Sequence, residues 1–144
     1  MDWDNLEMGK ANATDVATSP KYFTVKEANA ALPLVRRIAE DIVEQYEQVL
    51  ELHTRQQAAL DQDDEEELEA VDCARREATA RLNELIAELS DIGVELKDWE
   101  TGLVDFLGQR EGRDVYWCWR LGEQQVQYWH EIHAGMAGRA LLEE

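Results

Sequence analysis

The chain has 144 residues, of which 44% are hydrophobic, and its formal net charge at pH 7 is −18. This length is sufficient for one domain with a buried core. The 32 acidic residues outnumber the 14 basic ones, and the resulting field repels DNA, RNA and anionic membrane surfaces. We therefore predict no nucleic-acid partner and no membrane partner. A metal ion or a cationic partner is compatible with the charge, but plain solubility explains it equally well.

The N-terminal segment and the cysteine content indicate a cytoplasmic protein. Residues 1–20 have neither the basic start nor the apolar stretch of a secretory signal. No run approaches the roughly 18 apolar residues that span a bilayer. Two cysteines, Cys73 and Cys118, without an export signal are typical of a reduced, cytoplasmic chain. Because residues 1–20 show no sustained hydrophobic period, we expect a loose leader before a single α+β domain over residues 21–144.

The helical part of the domain is predicted to begin after Thr24. Thr24 and Glu27 have the spacing of a capping box, which starts a short helix over residues 25–31. The ring of Pro33 disfavours helical geometry at Leu32, so we expect a kink or break there. A new helix then runs from Pro33 to about residue 60, and its apolar residues recur with helical spacing in a broad stripe.

A second helix follows an acidic turn over residues 61–67, with Asp64 as its cap and Gly93 as its stop. Its apolar residues follow a heptad pattern with one charged interruption. This seam comprises Leu68, Val71, Arg75, Ala78, Leu82, Leu85, Leu89 and Ile92. The short turn makes the two helices an antiparallel, coiled-coil-like hairpin. In a hairpin of two helices, the broad apolar stripe of the first helix remains partly uncovered. We expect the C-terminal residues to cover one end of this stripe and a second copy of the chain to cover the other end, which gives a homodimer or higher homo-oligomer.

After Gly93 the hydrophobic period changes from helical to alternating. Residues 103–107, 114–121 and 126–132 are predicted to be strands, and Gly112 supplies the turn between the first two. The tail over residues 135–139 is predicted to be a Gly-containing loop. The predicted fold class is therefore α+β, a long helical hairpin with a small C-terminal antiparallel sheet at its base.

Two polar residues interrupt apolar faces of the predicted strands. Alternation puts His130 on one face with Val126, Tyr128 and Ile132, and it puts Asp105 between two leucines. A polar group on an apolar face needs a partner, because an unpaired buried charge is costly. Either the two residues form a structural hydrogen-bonded pair, or they bind a ligand.

Several carboxylates are placed where they can join this pair. Glu27, Asp98 and Glu123 lie at turns or at a helix start. Asp105, Glu123 and His130 are our candidate metal ligands, and an oxygen-rich site with one nitrogen suits Mn, Fe or Zn. An acidic chain brings some carboxylates together in any case, so a purely structural cluster is the competing interpretation.

The neighbouring residues in the sequence indicate the roles of three further polar side chains. His133 lies on the opposite face of a strand from His130, so we expect it at the surface. Cys118 lies between two tryptophans and lacks a nucleophile or metal motif, so we interpret it as buried and inert. Arg139 follows two glycines and has the geometry to bind a carboxylate or a phosphate, although a salt bridge within this acidic protein is the simpler interpretation.

The chain resembles a known family, the domain of unknown function numbered 2203, over about residues 21–141. The motifs that carry the resemblance lie at residues 22–29, 93–98, 102–106, 118–123, 129–130, 135 and 138–139. They include Glu27, Asn29, Asp98 and Arg139, which we take as candidate ligand-binding residues together with the three metal candidates. The resemblance implies that these residues belong to a site, but it implies no reaction. Because the motifs come from both ends of the chain, we also expect the entry helix to dock on the sheet.

Two functions from different classes fit these observations. The first is an oligomeric interaction or structural domain that acts through its helical hairpin, and the regular heptad favours it. The alternative is a metal- or small-ligand-binding domain, which includes the case of an enzyme, with His130 as a ligand or proton shuttle. We favour the first, because a fold and a polar cluster do not by themselves imply catalysis.

Overall fold

A computed structural model describes residues 21–142, so the predicted leader over residues 1–20 lies outside the described residues. Two long helices, α1 (Val25–Asp61) and α2 (Glu65–Ile92), precede an antiparallel sheet. Its strands, which neighbour one another in chain order, are β1 (Val94–Asp98), β2 (Leu103–Arg110), β3 (Arg113–Arg120), β4 (Tyr128–Glu131) and β5 (Ala140–Leu141). The predicted α+β class, helices followed by a small antiparallel sheet, is confirmed.

The first helix begins as predicted but does not break at Pro33. The Thr24 hydroxyl accepts a hydrogen bond from the Glu27 amide, and the Glu27 carboxylate accepts one from the Thr24 amide, which completes the capping box. The helix then continues through Pro33 to Asp61, so a break near Leu32 is wrong, whereas the other predicted outcome, a kink, stays a prediction. Leu32 and Val35, on either side of the proline, are both buried in the core. Their packing offsets the local cost of the proline, which propensity alone cannot reveal.

The second helix has the predicted ends and packs along the first. The Asp64 side chain accepts a hydrogen bond from the Glu67 amide, and Gly93 ends the helix with φ of 98°. Most of the heptad seam is buried, including Val71, Leu82 and Leu89. The charged interruption is satisfied within the chain, since Arg75 donates a hydrogen bond to Gln56 on α1. The seam therefore packs inside the hairpin of one chain.

The strands are more numerous than the alternation predicts. The turn at Glu111-Gly112 is as expected, and both residues have positive φ, as in a type I′ turn. β2 extends three residues beyond the prediction, to Arg110. β4 is shorter than the predicted strand over 126–132, because the Val126 amide bonds to the Asn29 side chain on α1. β1 and β5 were not predicted, and the tail also contains a 3-10 helix, Met136–Gly138.

One face of the sheet packs on the helices through the segment before α1. The Phe23 amide donates to the Leu107 carbonyl at 2.7 Å, and the Trp117 indole donates to the Phe23 carbonyl at 2.7 Å. The Phe23 and Phe106 rings meet edge to face with centroids 5.1 Å apart. These contacts confirm that the entry to α1 docks on the sheet. Within residues 21–142, neither helix has a segment of sufficient length and hydropathy to cross a membrane.

Candidate functional site

A buried polar cluster lies on the face of the sheet that points away from the helices. Phe106 and Trp117 pack toward the helices, so their neighbours along β2 and β3, Asp105 and Cys118, point to the other face. Asp105 lies directly opposite Cys118 in the register, and Tyr116 lies opposite His130 of β4. Asp105, Cys118 and His130 are only 1%, 0% and 4% exposed. Three adjacent strands thus place a carboxylate, a thiol and an imidazole together.

The two hydrogen bonds of His130 indicate which tautomer of its ring fits the site. Nδ1 lies 2.7 Å from the backbone oxygen of Glu131, and Nε2 lies 2.9 Å from Oδ2 of Asp105. A carbonyl oxygen only accepts, so Nδ1 carries the ring proton and Nε2 of a neutral imidazole is a bare acceptor. A carboxylate oxygen also only accepts, so the 2.9 Å contact between Nε2 and Oδ2 of Asp105 needs a proton or a cation between the two atoms. A bound cation can take the place of that proton.

Burial opposes ionisation at both of the other groups. Desolvation raises the pKa of the Asp105 carboxyl, although His130 and Lys97 act in the opposite direction. Burial, reinforced by the Asp105 carboxylate, raises the pKa of the Cys118 thiol to about 12. Such a thiol is not a thiolate nucleophile at neutral pH. Oδ1 of Asp105 is buried and has no hydrogen-bond partner within residues 21–142, so the cluster retains one unused acceptor.

Glu123 and Arg139 extend the cluster on one side. Nη2 of Arg139 donates to Oε1 of Glu123 at 2.8 Å, and the same oxygen accepts from the Arg120 amide. The guanidinium lies over the ring of Tyr128, 4.0 Å from its centroid. The positive charge of Arg139 opposes the rise in the pKa of the Cys118 thiol. The salt bridge expected of Arg139 is therefore present, and its partner is Glu123.

Three side chains cover the cluster on the other side. Lys97 lies 3.0 Å from Glu95 and 4.0 Å from Oδ2 of Asp105. The Tyr116 hydroxyl donates to Glu95 at 2.9 Å, and its ring lies 5.5 Å from the His130 ring. Burial, followed by the hydrogen bond to Glu95, raises the pKa of Tyr116 above its ordinary value. These interactions explain how a face without helices keeps Asp105 and His130 from water.

The other candidate ligands have partners elsewhere. The carboxylate of Glu27 caps α1, and the side chain of Asn29 anchors the Val126 amide at 2.7 Å. The carboxylate of Asp98 accepts from the Glu100 amide and the Thr101 hydroxyl in the turn between β1 and β2. His133 is exposed, as predicted, but it lies in a turn after β4 and not on a strand. The structure thus joins Asp105 to His130 and Glu123 to Arg139, but it does not bring Glu27, Asn29 or Asp98 into the cluster.

Cys118 is the member of the cluster that sequence reasoning set aside. Its burial is as predicted, but its position is beside Asp105. The turn could have indicated this, because Arg110 pairs with Arg113 and counting back along both strands places Asp105 opposite Cys118. No comparable local signal places β4 beside β3.

The three clustered side chains have the composition of a metal site. One ligand atom from each of Asp105, Cys118 and His130 lies within 4.8 Å of the others. Because Nδ1–H bonds to a backbone carbonyl, the lone pair of Nε2 points at Asp105 and is the one that a metal ion would use, which is the usual arrangement of a metal-binding histidine. Glu123 is not in this group, since Arg139 and the Arg120 amide use its carboxylate.

A separate open cleft of about 540 Å³ lies between α1 and the loop after β3. It is lined by Arg36, Glu40, Leu121, Gly122, Glu123 and Gln124. The three clustered donors do not line this cleft, and Glu123 is the residue common to the cleft and the extended cluster. The cleft therefore does not itself define the site.

The fold and the site define a class of protein, an α+β domain with a helical hairpin, a five-stranded antiparallel sheet and a buried Asp–Cys–His cluster. The model of a family described as uncharacterized conserved protein (DUF2203) matches residues 21–142, and the chain belongs to this family. The family predicted from the sequence motifs is thereby confirmed. Neither the curated proteins nor the solved structures gave a match.

Proposed function

We propose that this domain binds one divalent metal ion through Asp105, Cys118 and His130. The observation that carries the proposal is the convergence of three different ligand atoms within 4.8 Å of one another in a site that is almost fully buried. Oδ1 of Asp105, which lacks a partner within the described residues, supplies a further acceptor. The alternative function derived from the sequence is thus the one that the geometry supports best, with Cys118 in the place expected for Glu123.

Charge balance favours a divalent ion. An Asp105 carboxylate and a Cys118 thiolate contribute two negative charges, and a His130 imidazole contributes none. The nearby pairs Arg139–Glu123 and Lys97–Glu95 are each neutral. A divalent ion therefore makes the buried site neutral, which low-dielectric surroundings favour.

The ligand types favour zinc or ferrous iron. Manganese prefers oxygen ligands, whereas a thiolate and an imidazole suit Zn²⁺ or Fe²⁺. With the Cys118 sulfur in place of a Glu123 oxygen, manganese therefore drops out of the expected set of Mn, Fe or Zn. Three protein ligands also leave a fourth position for a small ligand, as in catalytic zinc sites. We propose a cytoplasmic location, where a reduced thiol persists, and we assign no reaction.

Metal analysis of isosteric variants tests the proposal. Protein without a polyhistidine tag is reconstituted anaerobically with Zn²⁺ or Fe²⁺, desalted and analysed by mass spectrometry of the elements. We expect one ion per chain in the wild type and a loss of stoichiometric metal in Cys118→Ser and Asp105→Asn. Cys73→Ser is the matched control, because Cys73 is the exposed cysteine.

Two results would contradict the proposed site. A wild-type protein that binds neither ion after reconstitution has no such site. Metal retained equally by Cys118→Ser and Cys73→Ser would place the ion elsewhere. Circular dichroism of each variant verifies that the fold is intact, so that loss of metal is not loss of structure.

Assembly through the helices is the second candidate, and it accounts for exposed apolar side chains on α1. Leu34 and Leu60 are 47% and 50% exposed. Because the heptad seam is buried within one chain, a homodimer through the helices would use such outward residues instead. Light scattering after gel filtration should give a dimer mass for the wild type and a monomer mass for Leu34→Glu/Leu60→Glu. A monomeric wild type at tens of micromolar would exclude this assembly.

A further inference from the structure

The open cleft of about 540 Å³ has one wall that hydrogen bonds hold in place. This wall is the loop after β3, which contributes Leu121, Gly122, Glu123 and Gln124. The Trp119 indole donates to the Glu123 carbonyl at 2.9 Å, and the Glu123 amide donates to the Arg120 carbonyl at 3.0 Å. Because Trp119 is itself fully buried, these bonds anchor the loop to the core. The cleft is large enough for a small molecule, and its loop wall is preorganised.

The opposite wall is α1, where Arg36 is held at the cleft with most of its donors unused. Its Nη2 donates to the Gln124 carbonyl at 3.1 Å, and its guanidinium lies 5.7 Å from the centroid of the Trp119 ring. A guanidinium has five N–H donors. Within residues 21–142, the bond to Gln124 uses one of them, so the others are available to a ligand in the cleft.

Glu40, one helical turn after Arg36, supplies a carboxylate to the same cleft. It is exposed, and no salt bridge joins it to Arg36 in the part of the chain that the structure describes. An arginine that precedes a glutamate by four residues is in the less favourable order for a helical ion pair, and Arg36 turns to the loop instead. The charge of Glu123 is offset by Arg139 at 2.8 Å. The cleft therefore offers one cation and one anion.

We propose that this cleft binds a small zwitterion, an α-amino acid with an apolar side chain. The Arg36 guanidinium donates to the carboxylate of the ligand, and Glu40 accepts from its ammonium group. Residues four apart on a helix have Cβ atoms about 5–6 Å apart, so both can reach one small ligand. Leu121, which is half-buried, provides apolar contact for the side chain.

The charge of the protein favours a zwitterion over an anionic ligand. The formal net charge of −18 repels phosphates and nucleotides, whereas a zwitterion carries no net charge and is not repelled. This proposal goes beyond the metal site and does not depend on it, because the three proposed metal ligands do not line the cleft.

Calorimetric titration with L-leucine and two analogues tests the proposal at neutral pH. L-leucinol keeps the ammonium group but lacks the carboxylate, and 4-methylpentanoate keeps the carboxylate but lacks the ammonium group. We expect the wild type to bind L-leucine at millimolar concentration or below. Each analogue should bind about 10- to 100-fold more weakly, the usual effect of losing a hydrogen bond to a charged group.

Two variants identify which residue recognises which charge. Arg36→Gln should lose the preference for L-leucine over L-leucinol, and Glu40→Gln should lose the preference for L-leucine over 4-methylpentanoate. Arg37→Gln and Glu44→Gln are the matched controls, since both residues are exposed on α1 and neither lines the cleft. Glu40→Gln removes no contact within the described residues, so its result does not depend on the stability of the loop.

Three results would overturn the proposal. The first is a wild type that does not bind L-leucine at millimolar concentration. The second is equal affinity of the wild type for L-leucine and its two analogues. The third is a Glu40→Gln variant that discriminates among the ligands as Glu44→Gln does. None of these results bears on the metal site, which the elemental analysis of Cys118→Ser and Asp105→Asn tests separately.

Discussion

The Trp117 indole donates a hydrogen bond to the backbone oxygen of Phe23, at 2.7 Å, across the interface between β3 and the segment that leads into α1. Gly108 of β2 makes this contact possible. A Cβ at position 108 would lie 2.5 Å from an indole carbon of Trp117 and 2.8 Å from the Phe23 oxygen. The absence of a side chain at one position thus allows the entry segment to approach the sheet.

Gly108→Ala should therefore destabilise the protein. The methyl group displaces the indole and breaks its hydrogen bond, so we expect the free energy of unfolding to fall by about 2–4 kcal/mol. Urea denaturation followed by tryptophan fluorescence measures the change. The same substitution should cost less in a Trp117→Phe background, where the indole nitrogen is absent. Equal costs in the two backgrounds would show that the clash is not with Trp117.

The hydrogen bond between Asn29 and Val126 should stabilise the loop that carries Glu123. Val126 is 3% exposed, and its amide donates to the Asn29 side-chain oxygen at 2.7 Å. Asn29→Ala leaves this donor without a partner, so we expect a loss of about 1–3 kcal/mol in the free energy of unfolding. Asn29→Asp keeps an acceptor oxygen and should retain most of the stability. Equal losses in chemical denaturation would argue that the acceptor is unimportant.

Removal of the proline within α1 should stabilise the protein. Pro33 is exposed, and it deprives the helix of one backbone hydrogen bond. We expect Pro33→Ala to raise the free energy of unfolding by about 1–2 kcal/mol, since the greater freedom of the unfolded chain offsets part of the gain. Pro33→Gly restores the N–H but should gain about 1 kcal/mol less. A lower melting temperature for Pro33→Ala would mean that the proline has a packing role.

Tyr46 should make stability depend on pH above 10. Its ring meets Trp99 edge to face at 5.4 Å, and burial, followed by the charges of Glu100 and Asp98, raises its pKa above the ordinary value of 10.0. A group with a raised folded-state pKa stabilises the fold below its unfolded pKa, and this stability is lost as the pH rises through the folded-state value. The free energy of unfolding of the wild type should therefore fall more between pH 9 and alkaline pH than that of Tyr46→Phe.

The control for this prediction is Glu100→Gln, which removes one of the two charges. The ultraviolet titration of Tyr46, taken as the difference between wild type and Tyr46→Phe, should then move to lower pH. A titration midpoint at the ordinary tyrosine value in the wild type would show that α1 does not lie against the turn between β1 and β2.

Local signals in the sequence determined the ends of the helices and one tight turn. Thr24 with Glu27, Asp64 and Gly93 act on backbone groups within four residues of themselves, so their effect needs no distant partner. The turn at Glu111-Gly112 is similarly local and fixes the pairing of β2 with β3. These local features are sufficient to predict the α+β class and the helical hairpin, and the turn also places Asp105 opposite Cys118.

Only the tertiary structure decided the continuity of α1, the outer strands and the members of the site. Pro33 remains helical because residues on both sides of it are buried, and β5 is a strand because it pairs with β4. His130 reaches Asp105 only because β4 lies beside β3, and Glu123 is joined to Arg139 rather than to the three ligands. Each of these depends on contacts between distant residues, whose free energy a local pattern does not contain.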